Sequence, residues 1–371
     1  MNLVDFIAHT TCADVSLSEK LREEVLEYNK ELLGGRLAGN RRVLLIGGSG
    51  YIGAVMTSEL LKCGYTVRNF DNHTYGQDVI PNCFVHEPRY EYVSGSICNT
   101  ESFRDALEGV NDVVLLAGLV GDPITKKYPD ESLQINGTGV RTIIDALDGH
   151  GLENVIFVST CSNYGLMADG KLADEESDLN PLSTYAEEKV AGEKHLLSKN
   201  GSVDYSATVL RFATAFGLSP RMRFDLTVNQ FSRELFRGDE LLVFDAETWR
   251  PYCHTMDFTR LVRRVLETPN HRTGFEVFNA GDDNNNATKQ MIVDKVLEVV
   301  GERKVEYQEH GSDPRNYRVN FGKVREKLEF HAKYRILDGV REIVDSHERG
   351  FFSMEPASDS LFGNYSLQRG F

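Results

Sequence analysis

The chain has 371 residues, with 56 acidic against 41 basic side chains and a formal net charge of −15. Hydrophobic residues at 41% and charged residues at 26% describe a globular protein, not a disordered one. The acid excess argues against nucleic acid as a partner, because phosphate backbones demand clustered Lys and Arg, and no apolar run approaches the roughly 18–20 residues that cross a bilayer.

Residues 1–40 read as a helical extension. The start, MNLVDFIAHTTCADVS, lacks the basic opening and long apolar run of a secretory leader, which predicts a cytoplasmic protein with no membrane partner. Ser16 and Glu19 have capping-box spacing, Leu21, Val25, Leu32 and Leu33 form a broken apolar stripe, and Gly34-Gly35 stops it. From Arg41 short apolar runs at 43–46, 66–70, 90–93, 112–116, 155–159 and 205–211 read as buried strands. Helical patterns at 52–63, 100–107, 139–147 and 185–197 lie between them. Such alternation predicts an α/β fold, a doubly wound parallel sheet covered by helices on both faces. Residues 41–215 form this dinucleotide-binding domain, with segments near 245–285 returning to it. Residues 216–350 make a smaller, mixed α/β C-terminal substrate lobe, and 351–371 a polar, loosely docked tail. Cys12, Cys63, Cys83, Cys98, Cys161 and Cys253 are scattered without a CxxC pair, so neither disulfides nor a metal site are expected.

The first strand runs into Gly47-Gly48-Ser49-Gly50-Tyr51-Ile52-Gly53, which opens a helix. Gly47 suits the tight turn, Gly50 the approach of a pyrophosphate, and Gly53 close helix–strand packing. Backbone N–H groups from Gly50, Tyr51 and Ile52 then face the phosphates at the positive helix end. About twenty residues on, Asp71-Asn72 ends the second strand, where a carboxylate accepts hydrogen bonds from an adenosine ribose. That carboxylate repels a 2′-phosphate, so the expected cofactor is NAD and not NADP.

Tyr185-Ala186-Glu187-Glu188-Lys189 places a phenol and an ammonium on one helix face. The ammonium favours the phenolate, which can take a proton from a sugar hydroxyl as hydride leaves the carbon. Before it, Ser159-Thr160-Cys161-Ser162-Asn163-Tyr164-Gly165 brings hydroxyls to the C-terminal end of a strand, the ligand crevice of such a sheet. Thr160 can donate to the oxygen that becomes a carbonyl.

With these pieces in order, the chain resembles an extended short-chain dehydrogenase/reductase of the NAD-dependent epimerase/dehydratase family, whose members act on nucleotide sugars through a Rossmann domain. The resemblance runs from about Val43 to Phe330 and includes Leu116-Ala117-Gly118, Asn136-Gly137-Thr138, Leu210-Arg211, RPYCHTMDF from Arg250, and DPRNY from Asp313. It implies that Tyr185 is the acid/base and Lys189 its partner and a cofactor ligand. It also implies that Thr160 holds the substrate oxygen and that Leu116, Ala117 and Gly118 pass beside the cofactor. Arg250 is then expected at the substrate diphosphate, with Asn229 and Arg315 as further candidates in that lobe. Arg221, Arg223 and Arg233 lie nearby in sequence, where a solvated face explains them equally well. A homodimer is the implied assembly.

Several positions depart from the family pattern. Gly95-Ser96-Ile97 stands where an Asp often binds adenine, so Ser96 makes a weaker version of that contact and Ile97 flanks it. Leu115 replaces a frequent His, and Thr214 a frequent Asn. Cys161 and Ser162 occupy the positions of the Asp-Glu pair that 4,6-dehydratases use to eliminate water. Cys161 is either a tuned acid/base or a small pocket-lining residue. The leading expectation is therefore a nucleotide-sugar 4-epimerase that oxidises its substrate transiently to a keto-sugar. A net dehydrogenase or ketoreductase needs the same residues, and a non-catalytic dinucleotide-binding sensor or scaffold is the reading of another class.

Overall fold

The computed structural model describes residues 41–76, 78–167, 171–309, 315–352 and 362–368. The helical extension expected over 1–40 lies outside them. Apart from two short strands that pair with each other, Leu172–Ala173 and Arg318–Val319, the first six are β1 (Arg42–Ile46), β2 (Thr66–Asp71), β3 (Tyr90–Ser94), β4 (Asp112–Leu115), β5 (Asn154–Thr160) and β6 (Ser206–Phe212). After them come β7 (Thr214–Phe216), β8 (Leu241–Phe244), β9 (Trp249–His254), β10 (Glu276–Ala280), β11 (Asn286–Thr288) and β12 (Val305–Gln308). Seven of these form one sheet in the order β10-β6-β5-β4-β1-β2-β3, and every pairing in it is parallel. The order reverses between β1 and β4. That reversal opens a crevice at the carboxyl ends of these two strands, which is where ligands bind in doubly wound sheets.

The reason for the layering is visible along β1. Val43 and Leu45 point into one core with Met56, Leu60, Phe258 and Val262. Leu44 and Ile46 point into the other, with Phe103, Ile143 and Phe157. A strand apolar on both faces must be covered twice. On the first face lie α1 (Tyr51–Lys62) and, from the far end of the chain, the helix Thr255–Glu267. On the second lie α2 (Thr100–Ala106), α3 (Val140–Asp145) and α4 (Thr184–Leu197). A π-helical turn, Leu133–Gly139, leads into α3.

The second lobe holds α5 (Thr227–Arg237), α6 (the helix Thr255–Glu267, which packs back on α1), α7 (Lys289–Val300) and α8 (Ile336–Glu348). Strands β11, β9 and β7 form a three-stranded sheet, and β8 pairs with β12. Phe216, Val228, Leu235, Ile292 and Val340 form the core between them. The C-terminal residues depart from the loosely docked tail expected from composition. Phe362 packs on Phe224 and Phe352, the Phe224 N–H donates to the Phe362 carbonyl at 2.7 Å, and the Gln368 N–H donates to the Thr74 carbonyl at 2.8 Å. A few buried aromatic rings and backbone bonds outweigh a polar composition. No helix among the described residues is long and apolar enough to cross a membrane.

Phe212 ends β6 beside the crevice and stacks on Phe258 of α6, centroids 3.9 Å apart. Both rings are buried. Phe258→Ala is expected to cost about 3–5 kcal/mol, read as a lower urea midpoint at constant slope.

Candidate functional site

The crevice is a cavity of about 490 Å³ lined from both lobes. Its floor is the turn after β1. Gly47 has φ +89°, and a Cβ there would stand 2.8 Å from the Ala117 backbone nitrogen. A Cβ on Gly53 would stand 2.6 Å from the Gly47 carbonyl oxygen, so helix and turn close only without side chains. Gly50 caps α1 in an extended conformation with no side-chain cap bond. The first N–H groups of the helix therefore remain to meet an anion. Gly47, Gly50, Tyr51 and Ile52 all line the cavity.

Asp71 lies at the end of β2, 9% exposed, and its oxygens accept the Ser49 N–H at 3.0 Å and the His73 N–H at 2.8 Å. Burial raises the carboxyl above its ordinary range, against the pull of those two donors. Asn72, Ser96 and Ile97 line the same end of the cavity. The Ser96 hydroxyl accepts the Cys98 N–H at 3.1 Å, which leaves its proton for a ligand. Leu116 and Ala117 both donate their N–H groups to the Ile46 carbonyl, and Gly118 follows with φ +154°. A Cβ on Gly118 would clash with Asn136 at 2.7 Å. Asn136 in turn holds Leu119 by both its N–H (2.8 Å) and its carbonyl (3.0 Å), so the π-helical turn shapes this wall.

Thr160, Tyr185 and Lys189 converge on the cavity from β5 and α4. The Thr160 hydroxyl oxygen accepts the Ser162 N–H at 3.1 Å and keeps its proton to donate. Lys189 is buried and donates to the Val158 carbonyl at 2.9 Å. Burial lowers its pKa to about 8, while the neighbouring charges of Glu193 and Glu188 push it back up. Glu193 is one turn further along α4. It accepts from Ser159 and from Asn163 (2.7 Å), and forms an ion pair with Arg211 at 2.8 Å. Strand β5, the turn after it, β6 and α4 are thereby tied to one carboxylate.

Arg250 and Arg315 also reach the cavity. The Arg250 guanidinium donates to the Arg315 carbonyl and lies over the Tyr317 ring at 5.2 Å. Arg315 donates to the Ser162 hydroxyl at 3.1 Å. Two expected residues do not reach the cavity. Asn229 is fully buried: its amide accepts the Gly217 N–H (3.0 Å) and donates to Tyr51 Oη (2.9 Å) and the Arg223 carbonyl (2.8 Å). It fastens the lobe to the glycine turn and has no capacity left for substrate. Cys161 is likewise fully buried, its thiol donating to the Arg211 carbonyl at 3.1 Å, and burial pushes its pKa up. It is neither an acid/base nor a pocket-lining residue, because the turn after β5 rotates position 161 into the core and position 162 into the cavity.

Arg221, Arg223 and Arg233 are buried, not a solvated face, and the first two line the cavity beside Tyr75, Asp225, Asn364 and Tyr365. No local spacing marks Arg221, Arg223 or Tyr75 as ligands. A run of arginines after a strand was the single signal.

The family model described as NAD dependent epimerase/dehydratase family matches residues 43–281. A UDP-glucose 4-epimerase of Corynebacterium glutamicum is 26% identical over 70% of this chain and 80% of that protein. A dTDP-glucose 4,6-dehydratase of Streptomyces griseus is 28% identical over 81% of this chain and 92% of that protein. The match to a 3-beta-hydroxysteroid dehydrogenase of Mycolicibacterium neoaurum, 31% identical, spans 43% of each chain. Among solved structures, the fold is shared with a dTDP-glucose 4,6-dehydratase from Streptomyces venezuelae with NAD bound. Its TM-score is 0.77 at 22% identity, over 85% of this chain and 100% of that one. A UDP-glucose 4-epimerase from Thermotoga maritima gives a TM-score of 0.75 at 24% identity, over 84% and 99%.

The Lys189 ammonium is expected to titrate near pH 8 when its side-chain resonances are followed by NMR. Glu193 stabilises the charged form, so Glu193→Gln is expected to move the midpoint to lower pH. An unchanged or higher midpoint would show that the carboxylate does not act on Lys189.

Proposed function

The chain belongs to the NAD-dependent epimerase/dehydratase family, and we propose that within it this protein is a nucleotide-sugar 4-epimerase. It is an enzyme whose cofactor is NAD. The observation that carries the finer reading is the turn after β5. Thr160 faces the cavity, Cys161 is buried away from it, and Ser162 presents a hydroxyl held by Arg315. Eliminating water requires an additional acid and base near the sugar. Among the described residues, the cavity's carboxylates are Asp71, held by the Ser49 and His73 N–H groups, and Asp225, held by Arg223. Neither belongs to that turn.

The residues suit a reversible oxidation. Tyr185, as phenolate, takes the proton of the reacting sugar hydroxyl, and the Lys189 charge one turn away favours that phenolate. Thr160 donates to the oxygen as the C–O single bond becomes a carbonyl. NAD, when bound, would supply the hydride acceptor and donor for this carbon. When the keto-sugar has turned, Tyr185 returns the proton, and the net change is the configuration at one carbon. Arg250 and Arg315 offer guanidinium forks to the substrate's diphosphate.

Tyr185→Phe should keep its bound NAD and lose turnover by about 10²–10⁴-fold on UDP- or dTDP-sugars, followed by NMR of the product sugar. More than a few per cent of residual rate would sink the mechanism. Stoichiometric accumulation of NADH with the wild-type chain would favour a net dehydrogenase instead.

A further inference from the structure

Residues 217–225 cross directly over the glycine turn. Tyr51 Oη donates to the Gly217 carbonyl at 2.5 Å, and the Ser219 hydroxyl donates to the Tyr51 carbonyl at 2.7 Å. The crossing delivers two arginines to the cavity wall, and they are not equivalent. Arg223 forms a two-pronged pair with Asp225, at 2.9 and 2.5 Å. Arg221 is 5% exposed and forms no ion pair with any described residue. Its guanidinium donates to the Gly363 carbonyl at 3.2 Å and lies 5.2 Å from the centre of the Tyr75 ring. Burial, with Arg223 beside it, lowers its pKa to about 10. Asp225 and Asp71 offset part of that burial from a distance, without an ion pair, and an anionic ligand in direct contact would offset more.

The strap at 362–368 holds this arginine from the outside. The Asn364 N–H donates to Asp225 at 3.3 Å, and its amide donates to the Val120 carbonyl at 3.3 Å. Lys127 donates to the Tyr365 carbonyl at 3.0 Å. The strap thus touches both lobes, and Asn364 and Tyr365 form part of the cavity wall. The buried side-chain oxygen of Asn364 has no hydrogen-bond partner among the described residues. Arg221 and the strap therefore meet at one part of the cavity wall, where the open Asn364 oxygen can accept only from a donor such as a ribose hydroxyl. Asp71 acts on the Arg221 charge, so the guanidinium lies toward that end of the cavity, whereas the Arg250–Arg315 pair meets Ser162.

We propose that Arg221, held by the C-terminal strap, binds the diphosphate of the dinucleotide from the side opposite the glycine turn. The turn offers backbone N–H groups to one face of the diphosphate, and the guanidinium closes the other. The strap lies outside residues 43–281, which the family model matches, while Arg221 lies within them. The clamp rests on the dinucleotide site alone, and its failure leaves the epimerase reading standing.

The test uses the full-length chain stripped of cofactor and reloaded, with ADP-ribose and UDP as separate probes in calorimetry. Arg221→Met is expected to weaken ADP-ribose by about 10–100-fold, the range for a lost charged hydrogen bond, and to release bound NAD faster on dilution. UDP affinity is expected to stay within about twofold, since Arg250 and Arg315 serve that half. ADP-ribose binding unchanged within about twofold would overturn the proposal, as would a loss falling on UDP alone. If Arg221→Met lacks a cooperative thermal transition, Arg221→Lys decides. The retained charge without the planar fork should still weaken ADP-ribose several-fold, and unchanged binding overturns the clamp.

Discussion

The buried carboxylate of Glu193 is the constraint on which the reactive half of the site depends. A carboxylate stripped of water must be met by several donors, and here they are Ser159, Asn163 and Arg211. Each donor belongs to a different piece of backbone: the end of β5, the turn after it, and β6. Glu193 itself sits on α4, one turn from Lys189 and two from Tyr185. Meeting the needs of one charge therefore sets the distance between the strand that carries Thr160 and the helix that carries Tyr185 and Lys189. Arg211 passes the constraint on, through Tyr164 to Asn279 of β10, so the far edge of the sheet is included.

The second organising feature is a contrast of charge. The chain carries a net charge of −15, yet among the described residues its cavity is lined by Arg221, Arg223, Arg250, Arg315, Lys189 and Lys289 against Asp71 and Asp225. Burial strengthens these local cations relative to the distant surface acids, which water and salt screen. A doubly anionic cofactor and a nucleotide diphosphate are then compatible with an acidic protein. The overall charge serves solubility, and the arginines delivered by the second lobe serve binding.

Reading the residues in order singled out the glycine turn, Asp71, the hydroxyl turn and the Tyr185–Lys189 helix, all of which line the cavity. All of these are local: a strand end, a turn and a helix face set their geometry within a few residues. The reading went astray where burial is decided by distant contacts. Asn229 was expected at the substrate, but Gly217, Tyr51 and Arg223 consume its amide. Cys161 was a candidate acid, but a single residue's rotation after β5 sends it into the core beneath Arg211. For Arg221 and Arg223 a binding role and a solvated face stood equally open, and residues 351–371 were expected as a polar tail, although Arg221 meets Gly363 across 142 positions of sequence.

The sequence by itself determined the doubly wound sheet, the glycine turn and the shared helix face of Tyr185 and Lys189. Period-two and helical patterns, and side chains four residues apart on one helix, depend on short-range geometry alone. Only the tertiary structure decided which arginines line the cavity, which polar groups are spent on holding the lobes together, and that Asn364 and Tyr365 join the cavity wall. Those outcomes depend on which distant donors and acceptors meet when water is excluded, and that is a property of the packed molecule.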